Sequence, residues 1–220
     1  MGDLSGSTTR PRILIADDHS IVAEGVRSLL EKNFEVIGVV QDGRQLLVDA
    51  LKLKPDIIVV DIGMPLLNGL DAAERLKLSL PDTKLVFLTM KDDPNLAAAA
   101  LDLGPVGYVL KHAASSELLQ AIFEVLQGKS YVTSKLRPEN WSVRASRARQ
   151  FSKKLTPRQQ EVLQLLAEGR PMKEIAGILK LSEKTVMFHK YQVMDSFNLR
   201  SNAELVLFAL KRHLIPPDLR

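Results

Sequence analysis

In the first half of this 220-residue chain, five polar residues each stand where a short apolar run stops. Asp17 and Asp18 follow Ile13-Leu14-Ile15-Ala16, and Asp61 follows Ile57-Ile58-Val59-Val60. Thr89 closes Leu85-Val86-Phe87-Leu88, and Lys111 closes Tyr108-Val109-Leu110. Singly, an aspartate after a strand is an ordinary turn or helix-cap residue. Together, three carboxylates, a hydroxyl and an ammonium outline a metal-and-phosphate site, provided that they share one edge of one sheet. Clustered carboxylates repel each other unless a cation sits among them. Magnesium takes hard oxygen ligands, so Asp17, Asp18, Asp61 and the backbone carbonyl of Gly63 form a candidate Mg2+ site. With the cation bound, one carboxylate becomes a usable nucleophile toward a phosphoryl group. Phosphoryl transfer needs in-line positioning and charge neutralisation at the equatorial oxygens, which the cation, the Lys111 ammonium and the Thr89 hydroxyl can divide among them.

These residues converge only if the surrounding segments build the right scaffold. Val- and Ile-rich runs near 12–16, 34–40, 56–60, 84–89 and 107–110 have the unbroken apolar character of strands buried on both faces. Amphipathic stretches near 19–31, 43–53, 67–79 and 95–103 separate them, and a last helix from Ser115 to Gln127 stops at Gly128. Five β/α units imply an α/β fold, a flavodoxin-like doubly wound parallel sheet of five strands in the order 2-1-3-4-5. In such sheets, ligands bind beyond the carboxyl ends of the strands, where the five polar residues would lie.

Composition bounds the rest. The 45% hydrophobic content is ample for packed cores, and the length allows one or two domains. Without cysteine the chain forms neither a disulfide nor a thiolate metal site, which suits a reducing cytoplasm. Residues 1–12 lack the apolar segment of a signal peptide, and no stretch approaches the roughly 18 apolar residues of a membrane helix. The expectation is a cytoplasmic protein with no membrane partner. Residues 1–128 carry 12 Lys+Arg and 18 Asp+Glu, a net −6; residues 129–220 carry 18 and 8, a net +10. An acidic half joined to a basic half points to a polyanion as partner of the second half alone.

The strand–helix alternation ends at Gly128. Lys129, Lys135, Arg137, Arg144, Arg147, Arg149, Lys153 and Lys154 crowd the next segment, which Pro138 interrupts, so it reads as a linker. The sole tryptophan, Trp141, either packs between domains or lies on the surface. An all-α half follows. Thr156-Pro157-Arg158-Gln159 is a capping box with proline at the first helical position, and that helix stops at Gly169. A second helix covers about 172–180, Ser182 caps a third to Phe197, and Ser201-Asn202-Ala203-Glu204 is a second capping box opening a fourth. Short helices joined by a tight turn, the third bearing exposed basic and polar residues, describe a helix-turn-helix. The expected domains are therefore 10–128, a linker at 129–152, and 153–216.

Two families share these patterns. Asp17-Asp18, Asp61-Ile62-Gly63-Met64-Pro65, Leu88-Thr89-Met90 and Gly107-Tyr108-Val109-Leu110-Lys111, in order over about 12–128, resemble the receiver domain of two-component response regulators. The resemblance implies that Asp61 accepts a phosphoryl group from a sensor histidine kinase and that Asp17 and Asp18 hold Mg2+. It also implies that Thr89 binds a phosphoryl oxygen, that Lys111 pairs with it, and that Tyr108 is a switch aromatic. The segment from Leu155-Thr156-Pro157-Arg158 through Lys173-Glu174-Ile175-Ala176 to Leu181-Ser182-Glu183-Lys184-Thr185-Val186 and His189 resembles the LuxR-type helix-turn-helix. Joined, they resemble the NarL/FixJ class, a DNA-binding response regulator rather than an enzyme, active as a homodimer on double-stranded promoter DNA.

In that class the third helix enters the major groove. Lys184, Thr185 and Lys190 would then make phosphate or base-edge hydrogen bonds, with Met187, Phe188 and Tyr191 beside them and Lys173 on a phosphate. Ile175, Ala176, Leu179, Leu181, Val186 and Val193 fall where helix packing needs apolar residues. His189 has no partner ligands nearby and reads as a packed or surface histidine. The last helix, with Leu205, Phe208 and Leu210, both closes the small core and offers a dimer contact. Three departures from the family pattern stand out. Pro105 stiffens the loop before the last strand, Ala97 to Ala100 give their helix little to grip, and Pro171 replaces a polar cap.

Two other classes fit part of the pattern. A Mg2+-dependent phosphohydrolase would need a second acid two residues after the nucleophile, where this chain has Gly63. A phosphorylation-independent DNA-binding regulator would use its receiver only as a dimerisation or protein-contact module. RNA is a poorer target, because no aromatic stacking platform is visible.

Overall fold

The computed structural model describes residues 10–90, 92–113, 115–136 and 155–215; most of the basic linker, with Trp141, lies outside them. Strands β1 (Arg12–Ala16), β2 (Glu35–Val40), β3 (Ile57–Val60), β4 (Lys84–Thr89) and β5 (Val106–Leu110) form a parallel sheet in the order β2-β1-β3-β4-β5. Between and after them run α1 (Ser20–Leu30), α2 (Gly43–Leu53), α3 (Gly69–Ser79), α4 (Pro94–Leu101) and α5 (Ser115–Leu126).

Successive side chains of a strand point to opposite faces, and both faces here are covered. Leu14, Ala16, Ile58, Val60, Leu85 and Phe87 pack with residues of α2, α3 and α4. Ile13, Ile15, Ile57, Val59, Val86 and Leu88 pack with α1 and α5. The unbroken apolar runs follow from that double burial. The alanines of α4 contradict the expectation of a face with little grip. Ala97 and Ala100 are fully buried and Ala98 nearly so, because small residues let the helix lie close against the sheet.

The sheet has six strands where the sequence pattern gave five. β6 (Tyr131–Val132) pairs parallel with β5, and a 3-10 turn (Ser134–Leu136) brings Leu136 into the core. Two residues are too few to show a strand periodicity, so the folded body runs past Gly128, where the sequence placed the start of a linker.

The second body comprises α6 (Pro157–Ala167), α7 (Met172–Leu179), α8 (Glu183–Ser196) and α9 (Asn202–Lys211). The α6 capping box forms in full: the Thr156 hydroxyl accepts from Gln159 N–H and the Gln159 side chain accepts from Thr156 N–H. The expected box on α9 forms only in half. Ser201 accepts from Glu204 N–H, but the Glu204 carboxylate accepts from the N–H of Arg200, one residue earlier. Pro171 caps α7 with no side-chain hydrogen bond. Val162, Leu165, Ile175, Ala176, Leu179 and Val186 make one core, with Leu181 partly buried beside it, while Val193, Leu205 and Ala209 belong to a second.

Candidate functional site

The backbone first fixes where the acids go. The parallel ladder continues past the strand ends through Asp17 N–H to Val40 O at 3.0 Å, Asp61 N–H to Ala16 O at 2.8 Å, and Lys111 N–H to Thr89 O at 2.8 Å. These bonds hold the four strand ends level, so residues up to 94 positions apart deliver their side chains to one edge. Gly69, the first residue of α3, lies so close to the Asp61 backbone that a Cβ there would meet the Asp61 carbonyl oxygen at 2.0 Å. Only glycine lets α3 approach the Asp61 backbone in this way.

At that edge Asp17, Asp61 and Thr89 are buried and Asp18 is partly exposed. One ligand atom each from Asp17, Asp18, His19 and Asp61 lies within 4.8 Å of all the others. The Lys111 ammonium bridges two of the acids, 2.8 Å from Asp17 Oδ2 and 2.7 Å from Asp61 Oδ2. Burial alone would lower its pKa, but the Asp61 charge and the hydrogen bonds to Asp17 and Asp61 outweigh it and raise the ammonium above an ordinary lysine. Asp61 Oδ1 accepts from Gly63 N–H at 3.1 Å, and Asp17 Oδ1 accepts from His19 N–H at 2.9 Å.

Asp18 is held differently. Burial raises its pKa, His19 opposes that, and the neighbouring charges of Asp61 and Asp17 add to it. Its Oδ1 is buried without a hydrogen-bond partner, although the His19 imidazole approaches to 3.0 Å. An unsatisfied carboxylate oxygen beside two further carboxylates is a donor set that fits a hard divalent cation. Tyr108 is fully buried, and burial, then Asp93, Asp92 and Asp61, raises its phenol well above the usual range.

The candidate DNA residues lie along two helices. On α8, Lys184 is exposed, Met187 is 43% exposed, Phe188 56% and Tyr191 58%, while Val186 and Val193 turn inward. Lys190 is partly buried, its ammonium 5.7 Å from the Tyr191 ring centroid. Thr185 is also partly buried, its hydroxyl 2.8 Å from Ser182 Oγ at the helix cap. Lys173 on α7 is exposed. His189 is half-buried, edge-on to the Phe188 ring at 5.6 Å.

Sequence reasoning missed His19 and Gly69. Adjacency to Asp17-Asp18 was the available signal for the first; nothing short of the helix–strand approach could reveal the second. It also missed Leu66, Glu161, Gln164 and Glu168, which join the two bodies.

A doubly wound sheet with an acid triad and a lysine at its carboxyl edge, followed by a helix-turn-helix, defines a phosphorylation-type receiver attached to a regulatory DNA-binding module. Residues 13–123 match the response regulator receiver domain, and residues 153–209 match the bacterial regulatory proteins of the luxR family. The chain belongs to the NarL/FixJ class of DNA-binding response regulators. The oxygen regulatory protein NreC of Staphylococcus epidermidis is 37% identical over 215 residues, spanning 93% of this chain and 99% of the relative. The RcsB response regulator of Salmonella typhimurium is similar at 30% identity with TM-score 0.64, over 92% of this chain and 98% of RcsB. A structure of two RcsB dimers bound to two parallel DNAs matches at 30% identity and TM-score 0.55, over the same shares of the two chains.

Proposed function

We propose that Asp61 accepts a phosphoryl group from a sensor histidine kinase and that the modified chain controls transcription as a homodimer on double-stranded promoter DNA. A carboxylate oxygen of Asp61 attacks phosphorus, the P–N bond of the kinase phosphohistidine breaks, and the freed imidazole takes up a proton. Asp17, Asp18, Asp61 and the Gly63 carbonyl would hold Mg2+, which when bound supplies positive charge to the phosphoryl oxygens. Lys111, already bridging Asp17 and Asp61, would pair with one phosphoryl oxygen. The Thr89 hydroxyl would take another, and Tyr108, on the neighbouring strand, would respond to that movement. Stoichiometric transfer makes the chain a regulator rather than a turnover enzyme.

Lys173, Lys184, Thr185, Met187, Phe188, Lys190 and Tyr191 are the proposed DNA contacts, with the first turns of α8 in the major groove. The exposure of Lys184, Met187, Phe188 and Tyr191 next to an inward Val186 and Val193 supports this reading, because a helix whose large side chains stand in water is arranged to meet something. A protein that must reach chromosomal DNA works in the cytoplasm. We assign residues 10–128, extended by β6 to Leu136, to the receiver and 153–216 to the DNA-binding domain, with the intervening segment as linker.

The observation that carries the function is the convergence of three aspartates and Lys111 on a chain that also holds the helix-turn-helix. The test is Asp61→Asn treated with a small phosphodonor and Mg2+. The parent chain should take up one phosphoryl group and the variant none; equal labelling would remove the site assignment. DNA affinity that is identical with and without phosphodonor would favour the alternative of a phosphorylation-independent regulator.

A further inference from the structure

Four carboxylate oxygens of the acid site are already engaged. Asp17 Oδ2 and Asp61 Oδ2 take the Lys111 ammonium at 2.8 Å and 2.7 Å. Asp17 Oδ1 accepts from His19 N–H at 2.9 Å, and Asp61 Oδ1 accepts from Gly63 N–H at 3.1 Å. Asp18 Oδ1 is the exception, buried with no hydrogen-bond partner. The His19 ring stands beside it, with Nδ1 3.0 Å from that oxygen and 3.4 Å from Asp17 Oδ1. The nitrogen and the orphaned oxygen are therefore close without being bonded to each other.

Local structure gives His19 no other task. It is the N-cap of α1, a position that favours short side chains able to bond the free helix N–H groups. The imidazole makes no such bond, and the ring lies over the acids instead. Its side chain is 61% exposed, which leaves the approach from solvent open. Ligand atoms at neighbouring corners of a small octahedral cation lie about 3 Å apart, the separation of His19 Nδ1 and Asp18 Oδ1. His112, which follows Lys111, is also exposed, but it does not belong to the cluster of Asp17, Asp18, His19 and Asp61.

We infer that His19 Nδ1 is a metal ligand beside the three carboxylates, and that this nitrogen makes the site prefer a divalent transition cation, of the Mn2+ or Co2+ kind, over Mg2+. The inference rests on the reading of the acid cluster as a divalent cation site. Mg2+ takes oxygen ligands, keeps several waters and gains little from an imidazole. Affinity for a site of mixed oxygen and nitrogen donors rises along the first transition row, from Mn2+ through Co2+. Such a cation would take Asp18 Oδ1 and His19 Nδ1 together, and so satisfy the oxygen that the fold leaves unpaired. The competing account makes His19 only a countercharge to Asp17 and Asp18. It predicts the opposite outcome, because removing a countercharge strengthens every cation alike.

His19→Ala removes no capping bond, so α1 keeps its start. Calorimetric titration of the unphosphorylated full chain with Co2+, and separately with Mg2+, makes the comparison. His19→Ala should lose about tenfold or more in Co2+ affinity and less than about twofold in Mg2+ affinity. Asp61→Asn should weaken both cations and His112→Ala neither. Pulsed electron paramagnetic resonance of the Mn2+ complex should show a directly bonded nitrogen in the parent and in His112→Ala, and none in His19→Ala. A parent-like Co2+ affinity in His19→Ala, or an equal change in both cations, would overturn the role of His19. So would a Mn2+ complex without nitrogen coupling. In each of those cases a loss of binding in Asp61→Asn still upholds the acid site. Cations that bind Asp61→Asn as tightly as the parent would remove the acid site as a metal centre, and the His19 ligand with it.

Discussion

At the carboxyl edge of the sheet, the side chains of Asp17, Asp61 and Lys111 are 4%, 6% and 4% exposed, and their charges meet within 3 Å. On α8, Lys184, Phe188 and Tyr191 stand out in water, and the Lys190 ammonium lies 5.7 Å from the centre of the Tyr191 ring. The first region sets an ammonium against carboxylates at close range, away from water. The second keeps its charge open to a polyanion. Buried charges are expensive to unbalance, whereas exposed ones contribute little to folding and much to encounter. The same residue type therefore stands in opposite settings in the two halves: lysine is buried between carboxylates at 111 and open to solvent at 184.

The largest expected effect comes from unbalancing the buried set. Lys111→Met leaves Asp17 and Asp61 facing each other without their cation, and breaking such a buried pair costs roughly 3 kcal/mol or more. Millimolar Mg2+ should restore part of that loss through binding to the folded state alone. Urea unfolding with and without a chelator measures it, and a stability equal to the parent in both would erase the contrast drawn above.

Core packing in the other half is next. Leu179 is 3% exposed within the helix-turn-helix core, so Leu179→Ala should destabilise that domain by about 3 kcal/mol. Labelling at Asp61 should stay as in the parent, because the acid site has its own sheet to hold it. Thermal unfolding together with phosphodonor labelling would show whether the two halves are that independent.

Asp71 tests burial of a single charge where the halves meet. It is 7% exposed, accepting from Asn68 Nδ2 at 2.9 Å and from Gln160 of α6 at 3.3 Å, with Glu74, Arg75 and Glu161 around it. Burial pushes its pKa up to about 6, against hydrogen bonding from Asn68. Because the folded value lies above the unfolded one, the fold prefers the protonated acid. The contribution of Asp71 to stability should be greatest below about pH 4, fall as pH rises toward 6, and level off above it, by at most about 3 kcal/mol. Asp71→Asn should lack that fall, and urea midpoints between pH 4 and 8 would reveal a variant that still shows it.

The smallest effect concerns the open charges. Lys184→Ala should change folding stability by less than about 0.5 kcal/mol while lowering the salt slope of DNA binding by about one. Titrations of a cognate promoter at several salt concentrations would detect a slope that does not move.

Much of this was legible in the residues. Strand and helix positions followed from apolar runs and 3.6-residue spacing, since double burial writes itself into composition. The helix starts at Thr156, Ser182 and Ser201 were readable because caps are local chemistry. Where reading failed, the cause was contact between distant segments. β6 is two residues long and exists because β5 offers an edge; Glu204 bonds Arg200 because the approach to α9 brings that N–H closer. The burial of Ala97 and Ala100 depends on how near α4 lies to the sheet, which no periodicity states.

The amino-acid order by itself determined the two bodies, their opposite charge, and the residue types placed at each strand end, because these depend on neighbours along the chain. Tertiary structure alone decided that Lys111 bridges Asp17 and Asp61, that Tyr108 is sealed from water, and that Leu66 inserts into a core about a hundred residues further on. Such distances are closed by packing against shared surfaces, and a linear string carries the surfaces without saying which of them will meet.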